Sequence, residues 1–286
     1  MTQALDIRPD PALDSDARYR RLLAILRTLD GALVAFSGGV DSSLLAAAAK
    51  DALGERVLLV TARSPLHPPS EAQFAKALAA ALHVDHRILD TLELDDPAVS
   101  RNDPDRCYHC KRALFSRLAE MAAAEHLASV VDGFNRDDRD DYRPGRRATR
   151  ELGVRSPLEE AALGKEDVRA LARLRGLPNW DAPARACLAS RVPYGERLTA
   201  ERLARVARAE AGLEALGFTQ LRVRDHGLLA RVEVASADMD RACQAPVRAA
   251  IAAACRAAGY TWASLDLEGY RTGSLNEALA PPRRAR

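Results

Sequence analysis

The sequence has no long apolar run, and its charges nearly cancel. No segment approaches the ~18 consecutive apolar residues of a membrane helix, and the polar stretch 1–16 has no apolar core of a secretory signal. With 42 basic and 40 acidic residues, the formal net charge of +2 gives no general bias toward polyanions. We expect a cytoplasmic protein that has no membrane partner and does not bind nucleic acid.

Cysteine is also scarce. Five cysteines in 286 residues are an odd number, which argues against a disulfide framework. The length allows one large or two modest domains, and the hydrophobic and charged fractions of 48% and 29% are those of an ordinary globular protein. The chain is therefore expected to fold around its own apolar cores without covalent cross-links.

One short stretch carries the strongest chemical signal. An apolar run, 32–36, stops at Ser37-Gly38-Gly39 and is followed by an alanine- and leucine-rich helical segment, 42–53. Adjacent glycines allow a tight turn and close approach to a ligand, while the first turn of a helix presents unpaired N–H groups and positive potential. This strand-loop-helix pattern predicts an anion site, although a glycine pair alone also makes purely structural turns.

Side chains of the same loop add polar groups. Three hydroxyls supply further donors, those of Ser37, Ser42 and Ser43. Asp41 can hold a Mg²⁺ that bridges phosphates. The loop lacks the glycine spacing and the lysine of a Walker A sequence.

The pattern of short apolar runs and helical segments continues toward residue 132. Strands are predicted at 33–36, 57–61, 86–89 and 129–132, and helices at 42–53, 70–82 and 111–126, with capping-box spacing from Ser70 to Gln73. This alternation predicts a parallel sheet covered on both faces, with ligands at the carboxyl ends of the strands. Asp132 and Gly133, which close the fourth strand, should therefore face the same crevice as the glycine loop.

The first domain is expected to end with a helix over 164–176 and a polar loop over 180–197. A smaller α+β unit is predicted to follow, with a helix at 199–216, a hairpin of 218–224 with 229–234, a helix at 238–257 and a strand at 261–267. We place the domains at 15–197 and 198–278.

The loop after Gly133 is rich in aspartate. Its carboxylates at 137, 138, 140 and 141 are expected to be solvated or to hold Mg²⁺, and Arg143 can meet a phosphate.

Three cysteines stand in polar surroundings. Cys107 and Cys110 form a C-x-x-C at the entry of a helix, and Cys187 lies in the second loop. Three thiolates suit a [4Fe-4S] cluster with one open iron, or a zinc completed by His109 or water; three unrelated cysteines are the alternative. The other two cysteines, at 243 and 255, are expected to pack in the apolar face of a helix.

The string Ser37-Gly-Gly-Val40-Asp-Ser42 resembles the PP-loop of the ATP pyrophosphatases. The chain as a whole resembles one branch of them, the LarE family, which inserts sulfur into the nickel-pincer nucleotide cofactor of lactate racemase. The resemblance spans residues 20–275 and rests on the stretches 37–43, 107–116, 132–145, 187–195, 221–224 and 265–273.

This resemblance implies a Rossmann-like, adenine nucleotide alpha hydrolase-like fold and an ATP-dependent sulfurtransferase. ATP would adenylate a carboxylate of pyridinium-3,5-biscarboxylic acid mononucleotide with release of pyrophosphate, and sulfur would displace AMP. It implies catalytic roles for Asp41, Lys111 and Cys187. It implies that ATP is bound by Ser37, Gly38, Gly39, Val40, Asp41, Ser42, Ser43, Asp132 and Gly133. It implies that the substrate is bound by Ser190, Arg191, Glu210, Arg222 and Arg224.

Family members differ in their source of sulfur. Some sacrifice a cysteine, a position that corresponds to Ala186 here, and others hold a [4Fe-4S] cluster on cysteines that correspond to Cys107, Cys110 and Cys187. The cluster route with sulfide or another sulfur donor is therefore expected, in a homo-oligomeric protein.

Three other kinds of protein compete with this interpretation. A PP-loop tRNA thiolase also uses ATP and three cysteines, but no basic stripe interleaved with aromatic residues is present. Amidation as in GMP synthetase would require ammonia, which a glutaminase domain usually supplies. A non-enzymatic zinc or nucleotide-binding module is the remaining alternative, and conversion of ATP to AMP distinguishes it.

Overall fold

A computed structural model describes residues 5, 7–139, 144–183 and 186–279. The chain divides into two units, and the first takes in the described residues of Met1–Ser64, Pro69–Glu93 and Asp105–Arg185. Its strands are β1 (Ala32–Ala35), β2 (Val57–Arg63), β3 (Asp85–Asp90) and β4 (Ser129–Val131). They form the predicted parallel sheet, in the order β3-β2-β1-β4. The α/β fold class is therefore confirmed.

Helices cover the sheet of the first unit. They are α1 (Ala12–Ser15), α2 (Ala17–Leu26), α3 (Val40–Leu53), α4 (Pro69–Ala81), α6 (Arg106–Ala124), α7 (Pro144–Glu151), α8 (Pro157–Glu160) and α9 (Lys165–Leu174), with α5 (Pro97–Ser100) assigned to the second unit. Apolar side chains of α3 pack with Val34 and Leu59 in one cluster, and those of α6 pack with Leu33 and Leu58 in another. Residues 33 and 34 alternate between clusters because successive strand residues point to opposite faces.

Two helix starts differ from the prediction. Helix α6 begins at Arg106, so Cys107 and Cys110 lie inside its first turns and not before it. Helix α4 begins at Pro69, which places Ser70 within the helix and not at the capping position. Proline is well tolerated in the first turn of a helix, where its missing N–H has no intrahelical partner.

The second unit takes in the described residues of Pro65–Pro68, Leu94–Pro104 and Ala186–Arg286. Its sheet has the order β5-β6-β7, with β5 (Leu221–His226) antiparallel to β6 (Leu229–Val234) and β7 (Trp262–Leu265) parallel to β6. Besides α5, its α-helices are two long ones, α10 (Ala200–Ala215) and α12 (Ala245–Ala258), and the short α11 (Met239–Cys243). Short 3-10 helices occur in both units, at Glu93–Asp95, Arg136–Arg139, Leu188–Arg191, Ser236–Asp238 and Ser274–Leu279.

The prediction of one continuous helix over 238–257 is wrong, because this segment forms two helices. Gln244 is extended and separates α11 from α12, because Pro246 can start a helix but not continue one. Cys255 is buried in the core of the unit as predicted, whereas Cys243 at the end of α11 is exposed. The segment after residue 279, predicted to be disordered, lies outside the described residues.

Candidate functional site

The loop between β1 and α3 is a tight turn that requires glycine. Gly38 has a φ of +75°, in the left-handed region that side chains disfavour. A Cβ added there would lie 3.2 Å from the Phe74 ring and 3.4 Å from the Ala75 Cβ. Conformation and space therefore both restrict this position to glycine.

Polar groups of the loop converge on one another. The Gly39 N–H donates to Ser37 Oγ at 3.3 Å, and the Ser42 hydroxyl donates to the Gly39 carbonyl at 3.0 Å. The two serine oxygens lie 3.1 Å apart. Val40 begins α3, and Ser43 is buried one turn into the helix. The structure thus brings the seven residues predicted from the sequence, 37–43, into one turn.

Asp41 is held by two donors from distant parts of the chain. Asn135 Nδ2 donates to Asp41 Oδ1 at 3.0 Å, and the Lys165 ammonium forms an ion pair with Oδ2. Asn135 follows β4 and Lys165 begins α9. A carboxylate between an amide and an ammonium is fixed in orientation, and its oxygens are of the hard type that Mg²⁺ prefers.

Asp132 lies at the end of β4, buried beside this loop. Its Oδ1 accepts hydrogen bonds from Ser156 Oγ at 2.7 Å and from the Phe134 N–H at 3.2 Å, while its buried Oδ2 has no partner among the described residues. Burial raises the pKa of Asp132 to about 6, although both hydrogen bonds and the charge of Lys111 oppose the rise.

Gly133 allows the end of β4 to approach the start of α3. A Cβ on Gly133 would lie 3.0 Å from the Ser42 backbone nitrogen. Because backbone cannot move aside as a flexible side chain can, any larger residue would push the two segments apart. Asp132 and Gly133 are therefore adjacent to the glycine loop, as expected for neighbouring parallel strands.

Two aspartates of the acidic loop organise its backbone. Asp137 Oδ2 accepts a hydrogen bond from the Lys165 N–H at 2.7 Å, and Asp138 Oδ2 accepts one from the Asn135 N–H at 3.0 Å. These contacts fix the two residues that reach Asp41. Asp140, Asp141 and Arg143, which were candidates for Mg²⁺ or phosphate binding, lie outside the described residues.

The C-x-x-C lies on the first turns of α6. Cys107 and Cys110 are both partly exposed, and Arg106 Nη2 donates a hydrogen bond to the Cys107 Sγ at 3.5 Å. His109 Nε2 lies 3.2 Å from the Asp105 carboxylate. Two thiols three residues apart on a helix face the same side, which fits two ligands of one metal centre.

Lys111 follows the C-x-x-C and packs closely against α7. A Cβ added to Gly145 would lie 2.8 Å from Lys111 Cγ and 3.2 Å from the Cys107 carbonyl oxygen. The ammonium of Lys111 also lies 5.3 Å from the centre of the Phe115 ring. The lysine is therefore confined by the helix beside it.

Cys187, the third predicted ligand, belongs to the second unit and precedes the 3-10 helix Leu188–Arg191. It is partly exposed. Within the described residues, no group of three or more histidine, cysteine or acidic side chains is arranged to hold a metal ion.

Arg191 makes most of the hydrogen bonds in a polar cluster of the second unit that also contains Ser190 and Glu210. Its guanidinium meets Glu210 through two bonds of 2.9 Å and also donates to the carbonyl of Cys187 at 3.1 Å and to Ser190 Oγ at 2.9 Å. Glu210 in turn accepts from the Val223 N–H at 3.0 Å. Arg191 and Glu210 are both buried, so this bidentate pair connects the 186–191 loop with α10 and β5.

Arg224 and Arg222 behave differently, although they alternate on one strand. Arg224 is buried and bidentate to Glu233 at 2.7 and 2.8 Å. Arg222 stacks over the ring of Tyr270 at 5.0 Å, and burial together with the charge of Arg191 lowers the pKa of Arg222. Arg224 is therefore neutralised by its partner, while Arg222 lies in positive potential that an anion would relieve.

Comparison with known proteins gives relatives over nearly the whole chain. Residues 30–131 match the asparagine synthase family model. A pyridinium-3,5-bisthiocarboxylic acid mononucleotide synthase from Lactiplantibacillus plantarum is 39% identical over 259 residues, which are 90% of this chain and 93% of the relative. An uncharacterised protein from Synechocystis is 42% identical over 264 residues, 92% of this chain and 98% of that one. The chain belongs to the LarE family.

The LarE-type sequence signals did not reveal every residue at the loop. Asn135, Lys165 and Asn179 reach it from 94 or more residues away, and Asn179 Nδ2 donates to the Gly38 carbonyl and the Ser43 hydroxyl. The residues around each of them in the sequence form no motif that indicates a binding site. The one usable signal was the order of the parallel strands, which predicts that the loop after β4 lies beside the loop after β1.

In the described part of the chain, no helix is long and apolar enough to cross a membrane.

Proposed function

We propose that this protein converts a carboxylate of pyridinium-3,5-biscarboxylic acid mononucleotide into a thiocarboxylate at the expense of ATP. The observation that carries the proposal is the glycine loop with its two converging serines and oriented Asp41, in a chain that is 39% identical to a named synthase over nine-tenths of its length.

The first step would be adenylation. A carboxylate oxygen of the substrate attacks the α-phosphorus of ATP, the bond to the β,γ-pyrophosphate breaks, and an acyl-adenylate remains. Hydroxyls and N–H groups of 37–43, which converge in the loop, would stabilise the charge that develops on the departing pyrophosphate. Asp41 would hold Mg²⁺, which neutralises phosphate charge when bound.

The second step would be attack of sulfide on the acyl carbon. The new carbon–sulfur bond replaces the carbon–oxygen bond, and AMP leaves with its electron pair. Cys107, Cys110 and Cys187 would supply three thiolates to a [4Fe-4S] cluster, which when bound offers an open iron for sulfide. Lys111, confined beside Cys107 by α7, would stabilise a phosphate of the nucleotide.

The second unit would bind the substrate's own phosphate. Arg222 is the best candidate for the direct contact because its guanidinium stacks over the Tyr270 ring and lies close enough to the charge of Arg191 for an anion to be attracted to both. Ser190, Arg191, Glu210 and Arg224 would hold the surrounding loop and strands in place through their mutual bonds.

A reconstituted reaction tests the function. Anaerobically purified protein, Mg²⁺·ATP, the dicarboxylate mononucleotide and sulfide should yield AMP, pyrophosphate and a product whose mass reflects exchange of oxygen for sulfur. Formation of ADP and phosphate instead would contradict adenylation.

The cluster has its own test. The ultraviolet–visible spectrum and the iron content should show a cluster in the unmodified protein and in Cys243→Ser, whose thiol is exposed at the end of α11. Replacement of Cys107, Cys110 or Cys187 by serine should remove it. Dehydroalanine at residue 187, with Cys107 and Cys110 dispensable, would instead indicate a sacrificial cysteine.

A further inference from the structure

A segment near the N-terminus crosses the end of α9 and packs closely against it. The Asp10 N–H donates to the Leu174 carbonyl at 2.7 Å, which gives a partner to one of the last carbonyls of α9, where no intrahelical donor remains. Leu13 is 1% exposed in the main apolar cluster of the first unit, and Ile7 packs against the same cluster. We call residues 7–13 the N-terminal strap.

Gly176 is the point at which the strap and the end of α9 approach each other most closely. The residue has a φ of +75°, and its N–H donates to the Arg173 carbonyl at 3.0 Å, in the left-handed turn with which helices commonly end. A Cβ at this position would lie 2.4 Å from the Arg8 carbonyl oxygen and 3.0 Å from the Arg8 nitrogen. Backbone therefore lies directly against backbone, and any side chain at residue 176 would push the strap away.

The turn that the strap covers leads to the glycine loop. Asn179 lies three residues after Gly176 and donates from its side-chain amide to the Gly38 carbonyl at 2.8 Å and to the Ser43 hydroxyl at 3.0 Å. On its other side, the Trp180 carbonyl accepts a 3.2 Å bond from Arg169 of α9. The backbone is thus held both before and after Asn179, by the strap and by α9 respectively.

We propose that the N-terminal strap sets the affinity of the glycine loop for ATP by positioning Asn179. If the strap leaves the end of α9, the turn 176–180 is free to shift, and the Asn179 amide moves away from its two acceptors in the loop. Because the strap acts through Asn179, its loss cannot weaken ATP more than loss of the Asn179 amide itself. This role rests on the proposed function, since it takes the glycine loop to be the ATP site.

Two glycines that end helices in the same way allow a matched comparison. Gly153 follows α7 with a φ of +67°, as Gly176 follows α9, but a Cβ at Gly153 would meet nothing within 4 Å. Asparagine tolerates this conformation, so Gly176→Asn adds a side chain against the strap and Gly153→Asn adds the same one in open space. In titration calorimetry, Gly176→Asn should weaken Mg²⁺·ATP about 5-fold or more, the usual effect of losing a buried hydrogen bond. Gly153→Asn should leave the affinity within about 2-fold of the unmodified protein.

A second pair of variants leaves both glycines in place. Leu13→Ala loosens the strap, whereas Leu53→Ala removes a side chain from the same apolar cluster at the far end of α3 from the glycine loop. Both should lower the melting temperature by several degrees, but only Leu13→Ala should weaken ATP. In an Asn179→Ala background, neither Leu13→Ala nor Gly176→Asn should weaken ATP further, because the contact through which the strap acts is already gone.

Trp180 reports on the turn directly. The chain has two tryptophans, so in a Trp262→Phe protein the tryptophan fluorescence comes from Trp180 alone. Acrylamide should quench it more strongly with Leu13→Ala than with Leu53→Ala. Equal ATP affinity in the two leucine variants, or a loss that persists in full in the Asn179→Ala background, would overturn the proposal. Failure of the unmodified protein to bind ATP would contradict the proposed function itself, whereas the quenching comparison measures the hold of the strap on the turn without ATP.

Discussion

Asn179 donates a 2.8 Å hydrogen bond from its side-chain amide to the carbonyl oxygen of Gly38, the residue with a left-handed conformation in the glycine loop. The same amide donates to the Ser43 hydroxyl at 3.0 Å. One buried side chain thus joins the turn before α3 to the first turns of that helix. The conformation of the glycine loop is thus supported by a residue 141 positions away.

Replacing Asn179 by alanine should therefore loosen the loop. The Gly38 carbonyl and the Ser43 hydroxyl would each lose a donor in a buried place, at a cost of about 1–3 kcal/mol. We expect ATP affinity to fall about 10-fold, measured by calorimetry, and the melting temperature to drop by several degrees. The control is Asn276→Ala in the second unit, which loses a 3.0 Å bond from Tyr194 and should leave ATP affinity unchanged. Equal ATP affinity in both variants would contradict a role for Asn179 in the loop.

Two aspartates of α3 should separate catalysis from stability. Asp41→Asn should lower the rate of AMP formation ~10²-fold or more, as loss of one group aimed at developing charge does, with little change in the melting temperature because the Asp41–Lys165 pair is partly exposed. Asp51→Asn should do the reverse. It removes the carboxylate that pairs with two buried side chains, Arg175 and Tyr19, so it should lower stability and spare turnover of the folded fraction. Unchanged AMP formation in Asp41→Asn would remove this aspartate from the mechanism.

The sequence predicted the parts of the site that are local. A β-strand, two glycines and a helix start are encoded within 32–43, and they appear as expected because turn chemistry and helix capping act between neighbours. Asn135, Lys165 and Asn179 could not be recognised in the same way. Their position depends on how α9 and the loop after β4 pack, and no local pattern marks an asparagine that will meet a carbonyl 141 residues away.

Charged residues show a second limit of sequence reasoning. The alternation of Arg222 and Arg224 places both on one face of β5, but it does not say which guanidinium pairs with Glu233. Glu233 lies on the neighbouring strand β6, where register puts Glu233 opposite Arg222, yet its carboxylate pairs with Arg224 on the diagonal. Only the packed sheet determines that choice.

Arg222 and Arg224 should therefore respond differently to substitution. Arg224→Met leaves Glu233 buried at 1% exposure, with Arg231 at 3.3 Å as its remaining partner, and should destabilise the protein by roughly 3 kcal/mol. Arg222→Met should keep the melting temperature within a few degrees and weaken the mononucleotide about 10-fold or more, while ATP affinity stays constant. Thermal unfolding and substrate titration check both. Equal binding of phosphorylated and dephosphorylated substrate by the unmodified protein would rule out a phosphate site here.

Gly145 should be necessary for the position of Lys111. Alanine is ordinarily the better helix residue by up to about 1 kcal/mol, so Gly145→Ala in α7 would be expected to stabilise an isolated helix. In the folded protein the new Cβ would lie 2.8 Å from Lys111 Cγ and 3.2 Å from the Cys107 carbonyl, which forces α6 and α7 apart. We expect lower stability and loss of sulfur transfer, measured by thermal unfolding and product mass. A more stable and fully active variant would show that the contact can relax without consequence.

Asp132 gives the protein a pH-dependent instability that a single substitution should remove. Burial raises the pKa of Asp132 from 3.8 to about 6 in the folded state, so between about pH 4 and pH 6 the folded protein keeps a proton that the unfolded chain has released. Stability must therefore fall as pH rises through that window, and the cost of the ionised side chain is complete above it. At about 1.4 kcal/mol for each pKa unit, the cost amounts to at most about 3 kcal/mol.

Asp132→Asn cannot ionise, and its oxygen can still accept from Ser156 and the Phe134 N–H, the two donors to Asp132 Oδ1. Urea unfolding should show the variant to be more stable than the unmodified protein at pH 7.5 and equal to it near pH 4. Asp90→Asn is the control of opposite sign, because Arg63 lowers the pKa of Asp90 and that variant should lose a little stability near neutral pH. If Asp132→Asn is instead less stable than the unmodified protein at pH 7.5, the ionised carboxylate stabilises the fold. The presence of an aspartate at this position would then be explained by stability alone. If the substitution stabilises the fold but weakens ATP binding, the carboxylate is kept at the end of β4 for the nucleotide.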